Sequence, residues 1–173
     1  MPFINIEIKA RCYNTDKIRN ILKNKKADFK GIDHQIDTYF KCNKGRLKLR
    51  EGNIEKALIQ YFRDDKSGPK KSQVTLYKPI ENDSLKTALI NSIGILTIVD
   101  KKREIYFINN VKFHIDEVDK LGNFVEIEAI DSDGNLGEKK LNEQCEFYIK
   151  MFDIKPSNLL EISYSDMLLN MDS

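Results

Sequence analysis

Apolar and polar residues take turns along most of this chain with the two-residue period of a β-strand, in which side chains two apart share a face. The alternation predicts strands at 3–12, 35–41, 46–51, 57–63 and 73–78, and a later meander at 95–108, 111–118 and 124–130. The turn Cys42-Asn43-Lys44-Gly45 joins the second and third of these, and Asn109-Asn110 suits a tight hairpin because asparagine tolerates positive φ. Where the period lengthens to that of a helix, the apolar stripes are Ile18, Ile21 and Leu22 within 15–26, and Leu85, Ala88, Leu89 and Ile93 within 84–93, before Gly94. Two more follow: Leu141, Cys145, Tyr148, Ile149 and Phe152 within 135–152, and Tyr164, Met167 and Leu168 within 163–169. The last helix opens on a capping-box-like Ser163…Asp166. All four stripes read as core faces rather than cofactor contacts.

Neighbouring strands are joined by short turns, which favours an antiparallel sheet closed on itself with helices outside, in the α+β class. Neither an internal repeat nor a dividing linker is visible, so residues 1–173 read as one domain.

Charge changes this picture. Asn5-Ile6-Glu7-Ile8-Lys9, Arg46-Leu47-Lys48-Leu49-Arg50 and Glu126-Ile127-Glu128 each place charge on one face and bulk on the other. The acids cluster toward the ends of the chain and the bases between them. In a closed sheet with these faces inward, acids would stand opposite bases around one cavity, an arrangement suited to a metal–polyphosphate. The same alternation fits an ordinary half-buried sheet with its charges in water, and basic strands also serve as edge gatekeepers.

Composition narrows the classes. The 173 residues are 40% hydrophobic and 32% charged, as in a globular protein, and the net charge of +2 gives no global basic field for nucleic acid. DNA is not an expected partner, and RNA is disfavoured because the cations are expected to face inward. Cys12, Cys42 and Cys145 are odd in number and widely spaced, which reads as reduced thiols in the cytoplasm. The opening Met1-Pro2-Phe3-Ile4 lacks the pattern of a signal peptide, and no apolar run is long enough to span a bilayer, so no membrane is expected.

As candidate ligands of Mg²⁺ or Mn²⁺ we take Glu7, Asp116, Glu126 and Glu128, because hard cations prefer oxygen donors. Candidate phosphate contacts are Lys9, Arg46, Lys48, Arg50, Arg63, Lys101 and Arg103, with Lys112 on the face of His114 and Asp116. Glu7, Lys9, Glu126 and Glu128 are the candidate catalytic set. Other motifs fall away. Asp131-Ser132-Asp133-Gly134-Asn135 opens like a calcium loop but lacks its turn glycine and closing glutamate, which leaves a capped loop. Neither a Walker-type nor a GxGxxG loop occurs. His34 and His114 lack cysteine partners for zinc. His114 reads first as a hydrogen-bonded interior residue, while its neighbour Asp116 keeps a catalytic base open.

Taken in order, these segments resemble the CYTH family, the triphosphate tunnel group that includes class IV adenylyl cyclases and thiamine triphosphatases. NIEIKAR at 5–11 resembles its ExExK signature, QIDTYF at 35–40 with GRLKLRE at 45–51 its next strand pair, and LIQYFR at 58–63 with Gly68-Pro69-Lys70 the following hairpin. VDKKR at 99–103 resembles its VxKxR strand, LGNFVEIE at 121–128 its late metal strand, and SYSDMLL at 163–169 its terminal helix. The resemblance implies an eight-stranded antiparallel barrel, a divalent metal on the acids named above, and ATP, thiamine triphosphate or tripolyphosphate on the bases. It implies a class IV-like adenylyl cyclase, with a triphosphatase as the alternative and a non-catalytic polyphosphate-binding module as a second. A homodimer is left open. Asn5 stands where the signature has its first acid and offers an amide oxygen without charge, which lowers metal affinity or removes a second ion. We read it as the mark of a subgroup.

Overall fold

The computed structural model describes residues 2–80 and 84–172; Met1, residues 81–83 and Ser173 of the expected 1–173 domain lie outside the described residues. Eight strands form: β1 (Phe3–Arg11), β2 (Asp28–Phe40), β3 (Arg46–Glu51), β4 (Lys56–Arg63), β5 (Lys70–Tyr77), β6 (Ile95–Ile108), β7 (Val111–Val118) and β8 (Gly122–Asp131). The helices are α1 (Thr15–Asn24), α2 (Ser84–Ile93), α3 (Gly137–Met151) and α4 (Tyr164–Met171), with a 3₁₀ turn at Pro156–Asn158 before α4. Around the barrel the order is β1-β5-β4-β3-β2-β6-β7-β8, and β8 returns to β1. Every pairing is antiparallel. Closure leaves no sheet edge to be protected, so the basic strands are not edge gatekeepers.

The main hydrophobic core lies outside the barrel wall. Ile6, Ile8 and Ala10 of β1, Val111, Phe113 and Ile115 of β7, and Val125, Ile127 and Ala129 of β8 form one apolar surface. Onto it α1 lays Ile18 and Leu22, and α3 lays Leu141 and Cys145, followed by Phe152. Because the strand period is two, burying these residues outside commits their neighbours Asn5, Glu7, Lys9, His114, Glu126 and Glu128 to the interior. A second cluster plugs one end of the barrel, where Tyr164, Met167 and Leu168 of α4 meet Tyr39, Val99, Val118 and Phe124. The expected capping box is present, with the Ser163 hydroxyl accepting from the Asp166 amide and the Asp166 carboxylate accepting from the Ser163 amide. Asn109 takes φ 51° in the β6–β7 hairpin. Among the described residues, no helix is long and apolar enough to cross a membrane.

Two expectations need correction. The Leu85, Ala88, Leu89 and Ile93 stripe is not a core face, since α2 buries none of its residues and Ile93 remains 36% exposed. α2 rests on a wall whose interior is charged and whose outer surface here is only partly apolar, so its stripe finds little to pack on. β2 begins at Asp28 rather than at residue 35. A register shift between Phe29 and Gly31 breaks its alternation at the start, and Gly31 sits at φ 122°, so residues 28–31 carry no period-two signal.

Phe113 is fully buried, with its ring edge-on to Tyr148 at 4.7 Å between centroids. Phe113→Ala is expected to cost about 3–5 kcal/mol of unfolding free energy, read from urea denaturation. A loss below 1 kcal/mol would show that the helices contribute little to holding the wall.

Candidate functional site

Register places charge against charge before any side chain is considered. Across β1 and β8, Glu7 is opposite Glu128 and Lys9 opposite Glu126. Asp37 of β2 is opposite Arg50 of β3, Arg103 of β6 opposite Asp116 of β7, and His114 opposite Glu126. The inward faces enclose a cavity of about 100 Å³. Six cations line it (Lys9, Lys48, Arg50, Arg63, Lys101 and Arg103), with the carboxylates of Glu7, Asp37, Glu126 and Glu128. The sequence-derived acids and bases therefore converge, and the water-facing reading of their alternation is set aside.

The charges are organised into three groups. In the first, Asp37 takes Arg50 in a two-pronged pair at 2.9 and 2.8 Å, Lys101 at 2.8 Å and Lys48 at 3.2 Å. These cations hold the Asp37 carboxyl well below its usual range despite its burial. In the second, Arg103 forks onto Asp116 at 2.7 and 2.6 Å and reaches Glu126 at 3.0 Å. Tyr164 donates to Asp116 at 2.7 Å, and His114 Nδ1 lies 2.8 Å from Glu126. Lys9 is 3.4 Å from Glu126 and 3.8 Å above the Tyr164 ring. In the third, Arg63 donates to Glu7 at 3.1 Å and the Asn5 amide donates to Glu128.

A divalent cation fits the third group. Like charges directly opposite on a sheet repel, and Glu7 and Glu128 are such a pair. Burial, with Glu7, Glu126 and Glu55 nearby, pushes the Glu128 carboxyl up against the opposing pull of Lys112. Asn5 Oδ1 is buried with no hydrogen-bond partner among the described residues. Crowded carboxylates beside an unpartnered amide oxygen offer the hard oxygen donors that Mg²⁺ or Mn²⁺ selects. His114, Asp116 and Glu126 also bring ligand atoms within 4.8 Å of one another. There the Arg103 guanidinium forks onto Asp116 and also reaches Glu126, so both acids already share a cation.

Three sequence candidates sit outside the cavity lining. Asp116 faces inward but is spent on Arg103 and Tyr164. Lys112 donates to Glu55 at 2.7 Å. Arg46 reaches Ser163 and Asp166, each at 2.9 Å, and so ties β3 to the start of α4 instead of entering the tunnel.

Conversely, the residue-level reading missed Asp37, Tyr39, Tyr61, Ser72, Ser163 and Tyr164, all of which line the cavity. A signal for the β2 residues existed, because Asp33, Gln35, Asp37 and Tyr39 alternate with Ile36 and Thr38. Glu55 was also missed. Its turn is pinned by Asp33, which accepts the amides of Asn53, Ile54 and Glu55 at 2.5, 2.9 and 3.0 Å. Gly52 makes room for this, since a Cβ there would lie 2.6 Å from the Asp33 carboxylate.

Comparisons with known proteins agree with this fold. The model of the CYTH domain family matches residues 4–156. The chain is similar to a Methanocaldococcus jannaschii protein named "Putative adenylate cyclase", with 28% identity over 182 aligned positions, covering 95% of this chain and 98% of that one. Its fold is that of a Vibrio parahaemolyticus structure described as a putative adenylate cyclase, at a TM-score of 0.78 and 18% identity, with 95% and 97% of the two chains covered. It is also that of a Hippeastrum structure described as a putative adenylyl cyclase with a dominant triphosphatase activity, at 0.64 and 13%, with 98% and 95% covered.

His114 allows a test of the buried network. Burial, helped by Arg103 and opposed by Glu126, pushes its pKa down from 6.5 to about 4. Between those values the unfolded imidazole is protonated and the folded one is neutral. Stability contributed by the neutral ring is therefore whole above pH 6.5 and lost progressively as the pH falls toward 4. The urea midpoint is expected to drop across this window, and more shallowly in His114→Gln. Equal slopes in the two proteins would refute a neutral interior imidazole.

Proposed function

The chain belongs to the CYTH domain family, and from that premise we propose that it is a metal-dependent phosphoryl-transfer enzyme acting on a nucleoside or organic triphosphate. The observation that carries the reading is the charge of the cavity: six cations face four carboxylates. The formal surplus of two positive charges along the lining, together with one divalent ion, is of the sign and size to attract a triphosphate chain. A cleft lined by a surplus of one sign of charge focuses its field and concentrates the oppositely charged ligand there.

Glu7, Glu126 and Glu128 would hold the metal, and Asn5 would offer its orphaned amide oxygen. When bound, Mg²⁺ or Mn²⁺ supplies positive charge to the non-bridging phosphate oxygens. The chain's own residues bind, orient and shield. Arg63 keeps Nε and Nη2 without hydrogen-bond partners among the described residues, Nη2 lying 3.9 Å from Asp65, so the three N–H groups on these two buried nitrogens can turn to phosphate oxygens. Lys48, Lys101 and Arg50 lie along the β3 and β6 walls and Lys9 on β1, which lets them follow the chain from one phosphate to the next. As bonds break, charge builds on the leaving phosphates, and fixed cations in a water-poor cavity stabilise it without having to reorganise. The plug of α4 and the Arg46–Asp166 tie shut one end of the barrel against solvent.

Two outcomes use these same parts. In cyclisation a ribose 3′-hydroxyl attacks the α-phosphate and pyrophosphate leaves. In hydrolysis water attacks the terminal phosphate. The names of the similar archaeal and Vibrio proteins support adenylyl cyclase. The dominant triphosphatase activity attributed to the Hippeastrum protein supports hydrolysis of thiamine triphosphate or tripolyphosphate as the second reading.

The test is a screen of ATP, thiamine triphosphate and tripolyphosphate against Mg²⁺ and Mn²⁺ with product identification. Cyclic AMP with pyrophosphate is expected for the cyclase, and orthophosphate for the alternative. Glu128→Gln is expected to lower metal-dependent turnover at least a hundredfold while the protein remains folded by circular dichroism. A fully active variant, or no turnover of any triphosphate by the native protein, overturns the proposal.

A further inference from the structure

The residue that organises the cation wall is itself an anion, Asp37. It is 1% exposed, lines the cavity, and carries no role in the reading above beyond its contacts. Both oxygens are spent: Oδ1 on Arg50 Nε, and Oδ2 on Arg50 Nη2, Lys101 and Lys48. β2 lies between β3 and β6 in the barrel. A carboxylate on β2 is therefore placed to gather cations from both flanking strands at once.

Lys101 depends on this most. It is 2% exposed, and among the described residues Asp37 is the sole hydrogen-bond partner of its ammonium. Arg50 has its Nε and Nη2 held by Asp37 and its Nη1 3.4 Å from Glu55, which fixes the plane of the guanidinium. Each of the three cations nevertheless keeps N–H groups that Asp37 does not use, because an ammonium has three and a guanidinium five. The carboxylate thus backs the clamp without exhausting it.

We propose that Asp37 is a positioning residue for the polyphosphate clamp: it keeps Arg50, Lys101 and Lys48 converged and charged so that they meet the phosphate chain together. The inference rests on the proposed triphosphate reading and deepens it, since it assigns the geometry of the clamp to a group that touches no substrate. It also implies that the clamp is assembled before the ligand arrives.

The electrostatics at Lys101 point the same way. Burial pushes its pKa down from 10.5 to about 7, aided by Arg103, Arg50 and Lys48, and Asp37 is the group that opposes this. Facing it are Asp37 from β2, Lys48 and Arg50 from β3, and Arg103 from β6. Asp116 of β7 and Tyr164 of α4 turn to Arg103 instead. Without the Asp37 charge, Lys101 would lose its proton at a lower pH, and the clamp would lose a cation as well as its shape.

The experiment is calorimetric binding of inorganic tripolyphosphate to the native protein and to Asp37→Asn, repeated from pH 6 to 9. Asp37→Asn is expected to bind at least tenfold more weakly at pH 7.5, with its alkaline loss of affinity displaced to lower pH. A purely structural role would not move that pH profile. Unchanged or tighter binding, which would make Asp37 an internal competitor of phosphate, overturns the proposal, as does an unshifted profile. Absence of tripolyphosphate binding by the native protein would instead sink the triphosphate reading on which this one rests. If Asp37→Asn does not fold, Asp37→Asn/Lys101→Met is compared with Lys101→Met. Removing Lys101 along with Asp37 leaves one fewer buried cation uncompensated, and the double variant is expected to bind more weakly than the single one by the contribution of Arg50 and Lys48. Equal affinities of those two proteins would overturn the proposal.

Discussion

Turning the charged faces of a barrel inward obliges the protein to satisfy every buried charge from within. An isolated buried ion costs several kcal/mol even after relaxation, and this interior holds many. The solution is pairing set by strand register. Asp37 meets Arg50, Arg103 meets Asp116, and Lys9 meets Glu126 because their strands bring them opposite one another. Side-chain geometry then adds the forks and cross-links. Where register sets two acids together, as at Glu7 and Glu128, the protein answers with Arg63 on one and the Asn5 amide on the other.

The interior cannot also supply the stability of the fold, since replacing buried ion pairs with apolar residues is often neutral or favourable. Stability is moved outside instead. The outer surfaces of β1, β7 and β8 pack under α1 and α3 into the main apolar core. This division explains how one face of a strand can be devoted to a site while its other face holds the domain together. It also explains why the helices are unequal: α1 and α3 cover the apolar side of the wall, α4 closes an end, and α2 leaves none of its residues fully buried.

Much of this was legible in the sequence, and for one reason. A closed antiparallel sheet keeps a strict period of two, so Glu7 with Lys9, Lys48 with Arg50, and Glu126 with Glu128 announce a common face, and burial of Ile6, Ile8 and Ile127 decides which face is inside. The parts that stayed hidden depend on what register cannot be read for. Arg46 shares a strand and a face with Lys48, yet it turns to Asp166, a residue 120 positions later that the C-terminal helix delivers to the barrel's end. Asp116 is legible as an acid of the inward face, but its two-pronged pairing with Arg103 directly opposite is not. Asp37 was passed over because an acid within a basic neighbourhood breaks the pattern that identified the neighbourhood. The alternation Asp33-Gln35-Asp37-Tyr39 marked it as inward-facing all the same. The strand extension at Asp28 was lost to a bulge, which removes the period that reveals a strand.

Asn5 shows how closely the charge of such an interior is balanced. In the signature it resembles, this position is an acid, and it would face Glu128 beside Glu7. Here Asn5 offers a donor instead, and its Nδ2 satisfies the carboxylate of Glu128 while its oxygen is left over. One change thus removes a negative charge from the most crowded acidic corner and retains an oxygen that can turn toward a cation. The surplus of positive charge along the cavity is larger by one than an acid at this position would allow. The interior therefore carries one negative charge fewer at this corner than the signature it resembles would place there.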